Sequence, residues 1–173
     1  MKEIILSKTS IFEDELPAIS KVNNNIIKNN ILEKIIKDIN YVGDQRFNDI
    51  QINFDQNINW VTQYICDNMF ARHSLKLVPL NFFVKVHEKN EGTIKRNYID
   101  FYDFRNSPDF TSFYFIDSDE NDLIIEYEDY RPKYYNINFK TNKIIVWNSS
   151  LNHYVLPNKN NFRYILGINF KKI

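Results

Sequence analysis

The stretch Lys143-Ile144-Ile145-Val146-Trp147-Asn148-Ser149-Ser150-Leu151-Asn152-His153-Tyr154-Val155-Leu156-Pro157, followed by Asn160-Asn161-Phe162-Arg163-Tyr164-Ile165-Leu166-Gly167-Ile168-Asn169-Phe170, decides the fold. Lys143–Asn148 and Tyr164–Lys171 are runs of β-branched and aromatic residues of strand length. Between them stand turn residues, one histidine and one arginine. A neutral imidazole is a good metal ligand. A guanidinium offers a planar fork that grips a carboxylate through two parallel hydrogen bonds. An arginine turned inward among apolar residues carries a desolvation cost. The alternative is that Arg163, at a strand start, simply faces water.

Upstream, the same strand signature repeats. Leu80–His87, Ile94–Phe104, Phe110–Asp117, Leu123–Glu128 and Tyr134–Phe139 are the expected strands. Asn90-Glu91-Gly92, Asn106-Ser107-Pro108, Ser118 to Asn121, Arg131-Pro132 and Thr141-Asn142 supply the turns between them. Seven or eight closely spaced strands predict a sandwich or jelly roll. The N-terminal part is helical instead. Ile27, Ile31, Ile35 and Ile39 recur every four residues, broadened by Val22, Ile26, Leu32 and Ile36, so a helix is expected over 20–40 with Ser20 as its N-cap. Val61, Tyr64, Ile65 and Met69 predict a second helix over 57–74, and Asp49–Phe54 alternates like a short strand. The expected class is α+β, mainly β: a single domain over 1–173, helical over 1–77 and rolled over 78–173. Helices ahead of a roll would cover one sheet from outside and leave an open end for a small ligand.

Composition removes several functional classes. With 22 basic and 22 acidic side chains the formal net charge is zero, and no basic stripe points to nucleic acid. Lys171–Lys172 reads as a solvated pair. No apolar stretch reaches membrane-spanning length, and Met1–Leu6 is too short an apolar run for a signal peptide. The single cysteine, Cys66, excludes an internal disulfide and reads as a buried inert thiol, which fits a reducing, cytoplasmic setting (the host cytoplasm for a viral chain). Glycine-rich phosphate loops, CxxC pairs, GxSxG elbows and HExxH helices do not occur. His73 ends a helical pattern and reads as structural or surface; His87 ends a strand before a charged turn and is expected to be exposed.

The stretch quoted first resembles the C-terminal signature of the 2-oxoglutarate/Fe(II)-dependent oxygenases, especially their short phage and bacterial type. In that signature a turn leads to an iron-ligating histidine, then a proline, then an arginine about ten residues after the histidine. Trp147-Asn148-Ser149, His153, Pro157 and Arg163 take these places. The resemblance extends over roughly 78–172 and implies a double-stranded β-helix with the helices packed on one sheet. It implies Asp100 and His153 as iron ligands, Arg163 as the grip on the far carboxylate of 2-oxoglutarate, and Tyr114 as its helper. The chain departs from the family at the first ligand. Six residues after Gly92 the family has histidine in an H-x-D pair, whereas this chain reads Tyr98-x-Asp100. A phenol ligates iron well only after losing a proton with a pKa near 10. Asp103 offers a second carboxylate in an alternative alignment but adds no histidine.

Two functions follow from the resemblance. One is a 2-oxoglutarate/Fe(II)-dependent dioxygenase, a hydroxylase of unassigned substrate, with Fe(II) and the small-molecule co-substrate 2-oxoglutarate as cofactors and Tyr98 or water completing the metal set. The other is a catalytically inactive jelly-roll scaffold or binding protein without cofactors. In that case the tyrosines at 127, 130, 134 and 135 would pack on a protein partner or a second copy. Neither function involves nucleic acid or membrane.

Overall fold

The computed structural model describes residues 10–37, 49–52, 55–127, 133–160 and 162–173. The elements follow in the order β1 (Ile11–Glu15), α1 (Asn24–Lys37), β2 (Ile50–Gln51), α2 (Gln56–His73), β3 (Leu77–Glu88), β4 (Phe110–Asp117), β5 (Asn121–Tyr127), β6 (Lys133–Phe139), β7 (Lys143–Asn148), β8 (Asn152–Val155) and β9 (Phe162–Lys172). They build a six-stranded sheet of order β1-β7-β4-β9-β3-β2 and a three-stranded sheet of order β6-β5-β8, antiparallel throughout.

Strand alternation divides the buried side chains into two cores. On β9, Tyr164, Leu166, Ile168 and Phe170 face the helices, joined by Tyr114, Ile116, Ile144, Val146, Val84 and Val86. The intervening residues face the smaller sheet. Phe83, Phe113, Phe115, Ile145, Trp147 and Ile165 meet Leu123, Ile125, Ile137, Phe139 and Val155 there. The expected mainly-β roll with helices laid on one sheet is therefore the observed architecture.

Helix α2 buries Ile58, Val61, Ile65 and Met69 at three- and four-residue spacing against the large sheet, each contributing roughly 1.5–3 kcal/mol. Its N-cap is Asp55, whose carboxylate accepts from the Ile58 N–H at 2.8 Å. Its C-terminus closes through Ser74 in the left-handed region (φ 55°), with Ser74 N–H on Phe70 O and Leu75 N–H on Met69 O. Helix α1 starts later than expected. Asn23, not Ser20, caps it, accepting from the N–H groups of Asn25 and Ile26, while the Ser20 N–H closes a turn onto Pro17 O. Ile39, on the expected stripe, lies outside the described residues, as do Phe54 and the Arg131-Pro132 turn. No helix among the described residues is long and apolar enough to cross a membrane.

Two strands were invisible to periodicity. β1 is acidic (Ile11-Phe12-Glu13-Asp14-Glu15) and β8 is only four residues long; both are strands because neighbours complete them. Conversely, the strand expected over Ile94–Phe104 is not one. That segment makes a single bridge, Arg96 to His153, and then becomes a turn-rich loop. Its entry passes so close to β8 that a Cβ on Gly92 would sit 2.5 Å from the Val155 carbonyl oxygen, which is why glycine stands there.

Candidate functional site

The space between the sheets holds the histidine and the arginine singled out from the sequence. His153 lies on β8 with 1% exposure and faces inward beside Val155. Aromatic rings enclose it: Tyr98 stacks on it at 5.2 Å, Trp147 stands at 4.9 Å and Phe113 at 5.6 Å. Its Nδ1 meets the Leu151 carbonyl at 3.3 Å, so Nδ1 carries the proton and donates. Nε2 is left as a bare, buried lone pair without a hydrogen-bond partner among the described residues. Burial, assisted by the cations Lys85 and Arg96, pushes the imidazole pKa down to about 3.

Arg163 is fully buried on β9, so the reading that placed it in water is corrected. Its Nε and Nη2 both donate to His87 Nδ1, at 3.1 and 2.9 Å, and Nη2 also donates to the carbonyls of Leu156 and Glu91. These bonds require His87 to be neutral with Nδ1 bare. Burial and the guanidinium together hold the His87 pKa at about 2. The expectation of an exposed His87 is likewise corrected: it is 1% exposed, because β3 turns Phe83, Lys85 and His87 to the same inner face.

Tyr98 reaches the interior, but its hydroxyl accepts from Arg96 Nη2 at 3.0 Å. Arg96 and Lys85 both hold the carboxylate of Asp49. Burial raises the phenol further above its usual range and lowers the Lys85 ammonium to about 8, an effect Asp49 partly offsets. Thus an Asp49–Lys85–Arg96–Tyr98 cluster occupies the interior next to His153. Sequence reading missed Asp49, Lys85 and Arg96. The two-residue spacing of Phe83, Lys85 and His87 was the available signal.

The remaining two expected residues are elsewhere. Asp100 is exposed, and its carboxylate accepts from the Tyr102 N–H at 2.8 Å while its own N–H donates to Ser107 Oγ. It staples a loop, because an aspartate two residues before a free N–H closes an Asx turn. Tyr114 lies on the opposite face of the large sheet, where its hydroxyl donates to Asn24 and Asn142 at 2.6 and 3.0 Å. Strand parity decides this: Phe113 and Phe115 point inward, so Tyr114 points to the helices.

This donor set does not fit Fe(II). A facial triad needs two imidazoles and a carboxylate converging on one point. Here a single imidazole feels the charge of two protein cations, the phenol is already engaged, and the Asp100 carboxylate is outside. Among the described residues no group of three or more His, Cys, Asp or Glu side chains is placed to hold a metal ion. The grip on 2-oxoglutarate is also altered. Among the described residues only Nη1 of Arg163 is unengaged, so the two-pronged fork a carboxylate needs is not free. Phe83 fills the inner face over Gly167, where a Cβ would fall 2.1 Å from its ring.

No family model and no curated protein matches the chain. Among solved structures, a prolyl hydroxylase from Trichoplax adhaerens in complex with a hypoxia inducible factor oxygen degradation domain peptide fragment is similar over 94% of this chain and 83% of its own, with a TM-score of 0.65 at 13% identity. The viral collagen prolyl hydroxylase of Paramecium Bursaria Chlorella virus-1, a 2-oxoglutarate complex, is similar over 94% and 96%, with a TM-score of 0.63 at 12% identity. The carbocyclase SnoK from nogalamycin biosynthesis, non-heme and alpha-ketoglutarate-dependent, is similar over 94% and 80%, with a TM-score of 0.64 at 7% identity. The fold is the double-stranded β-helix of 2-oxoglutarate/Fe(II) oxygenases. Likeness at such identities establishes the fold and not the chemistry.

Proposed function

We propose that this chain is a catalytically silent jelly roll, a scaffold or binding protein on the oxygenase fold, acting through protein contacts and not through Fe(II) and 2-oxoglutarate. One observation carries the reading: Tyr98, which the sequence resemblance sets at the family's first histidine, stacks its ring on His153, and its hydroxyl is held by Arg96. Converting that arrangement to an iron site would require displacing Arg96 and Lys85 and swinging Asp100 in from the surface. The cations that accompany Asp49 make the vicinity of His153 hostile to a further positive charge. A cytoplasmic setting accords with the single free cysteine.

The test is thermal unfolding of the metal-free chain without oxygen, with Fe(II) or Mn(II), alone and with 2-oxoglutarate. A ligand that binds only the folded state stabilises it by about 2.7 kcal/mol at a hundred times its Kd. The expected result is no shift at millimolar ligand, and still none in Tyr98→His, because Asp100 remains outside. A metal-dependent shift that 2-oxoglutarate enlarges and His153→Ala abolishes would overturn the proposal.

A further inference from the structure

The face of the large sheet turned away from His153 and Arg163 carries a pocket of its own. At one rim of that sheet β1 and β4 begin while β7 and β9 end, and the four are neighbours in the order β1-β7-β4-β9. A cavity of about 400 Å³ lies there, within the roughly 300–1,000 Å³ of ordinary small-molecule sites. Strand alternation brings its walls together. Phe110 stands on the Tyr114 side of β4, Asn148 on the Val146 side of β7 and Lys172 on the Phe170 side of β9, all toward the helices. His73 and Leu75, at the end of α2, supply a further wall.

The lining divides by chemistry. Phe12 and Phe110, with ring centroids 6.4 Å apart, and Leu75 make it apolar on one part. The rest offers donors. Among the described residues the Lys172 ammonium has neither an ion-pair nor a hydrogen-bond partner. Asn148 spends its Oδ1 on Ser150 and keeps Nδ2 uncommitted. No acid lines the cavity. The adjoining crevice differs in this respect. It shares the Phe12–His73 ring pair, stacked at 4.5 Å, but contains Glu13 and Asp14, the latter held by Tyr64 and Arg72. An anion therefore meets free donors on one side of that ring pair and carboxylates on the other.

We propose that this pocket binds a small aromatic monocarboxylic acid, its ring against Phe12 and Phe110 and its carboxylate on Lys172 and the Asn148 amide. A guest ring gains offset or edge-to-face contact with the two phenylalanines. The lysine acts as a point charge on a flexible stem, so it adapts to where the acid group falls. Because Lys172 is exposed, its ion pair adds only modestly to affinity. Ring burial supplies the binding, and charge decides which aromatic ligands are kept. A dicarboxylate without a ring leaves the phenylalanine walls unused. The large sheet separates this site from the interior of the roll, so it stands whether or not the roll is catalytic.

The experiment is heteronuclear NMR of the full chain, titrated separately with phenylacetate, with its neutral isostere phenylacetamide and with glutarate. Phenylacetate should give saturable shifts at millimolar concentration, centred on the amides of Phe12, Leu75, Phe110 and Lys172. Phenylacetamide and glutarate should bind several-fold more weakly. Lys172→Glu sits at an exposed position that bonds to Asp109 through its backbone N–H alone, so the fold is spared. It should erase the preference for the acid over the amide and leave binding of the amide unchanged. The absence of saturable shifts with millimolar phenylacetate overturns the proposal, and so does equal affinity for acid and amide in the native chain. Shifts centred on His87 and Arg163 would put the ligand inside the roll and overturn it too, as would a preference for the acid that survives in Lys172→Glu.

Discussion

Acidification should unfold this protein earlier than its carboxylates alone would, because two histidines are locked in the neutral form inside the roll. His87 must keep Nδ1 bare to accept from Arg163, and His153 sits among rings with cations nearby. Both are 1% exposed. Their folded pKa values, about 2 and about 3, lie below the roughly 6.5 of an unfolded chain. Between those limits the unfolded state binds protons that the folded state refuses, so stability falls as pH falls. The loss begins as pH drops through about 6.5 and continues toward pH 3. From pH 7 to pH 5 it amounts to roughly 2 kcal/mol per histidine, about 4 kcal/mol together, at about 1.36 kcal/mol per pH unit. That is a large share of the roughly 5–15 kcal/mol that holds a typical domain folded. Urea unfolding at the two pH values measures it. His153→Phe keeps the aromatic packing and removes one titration, so it should halve the difference. Adding His87→Gln, which still offers Arg163 an acceptor, should remove most of the rest. A stability at pH 5 within about 1 kcal/mol of that at pH 7 would refute the reasoning, as would an undiminished loss in the double variant.

Three further outcomes are expected. Gly167→Ala forces a Cβ into the buried Phe83 ring and should cost about 1–3 kcal/mol in urea unfolding, with Phe83→Leu in the same chain recovering part of it. Ser74→Gly relieves a left-handed residue at the α2 C-cap whose side chain makes no hydrogen bond and should raise stability by about 1 kcal/mol. Cys66 is half-buried beside the Leu77 carbonyl, with burial raising its thiol pKa to about 11, so disulfide reagents should modify it slowly at neutral pH and promptly once the chain is unfolded.

Much of the fold was legible because it rests on local periodicity. β4 and β7 run from Phe110 to Asp117 and from Lys143 to Asn148, as their alternation predicts, and α2 differs from its expected span by one residue at each end. β1 and β8 escaped notice because their pairing partners, and not their own composition, make them strands. Ile94–Phe104 misled in the opposite way: its aromatic content imitates a strand, yet Phe101, Tyr102 and Phe104 are exposed on a loop.

The site was legible in part, and parity explains the division. His153 and Arg163 were found because their spacing around Pro157 resembles the oxygenase signature. The sequence by itself determined the mainly β roll and its helical cover, since both follow from hydrophobic period and spacing, while the burial of Arg163 came from the structure. Only the tertiary structure decided what surrounds the pair. Asp49, Lys85 and Arg96 lie far apart along the chain and meet only once β2, β3 and the Arg96 bridge are in place. There their charges converge on one another and on Tyr98. Electrostatic energy at a buried site depends on distances through space, and no linear spacing encodes those distances.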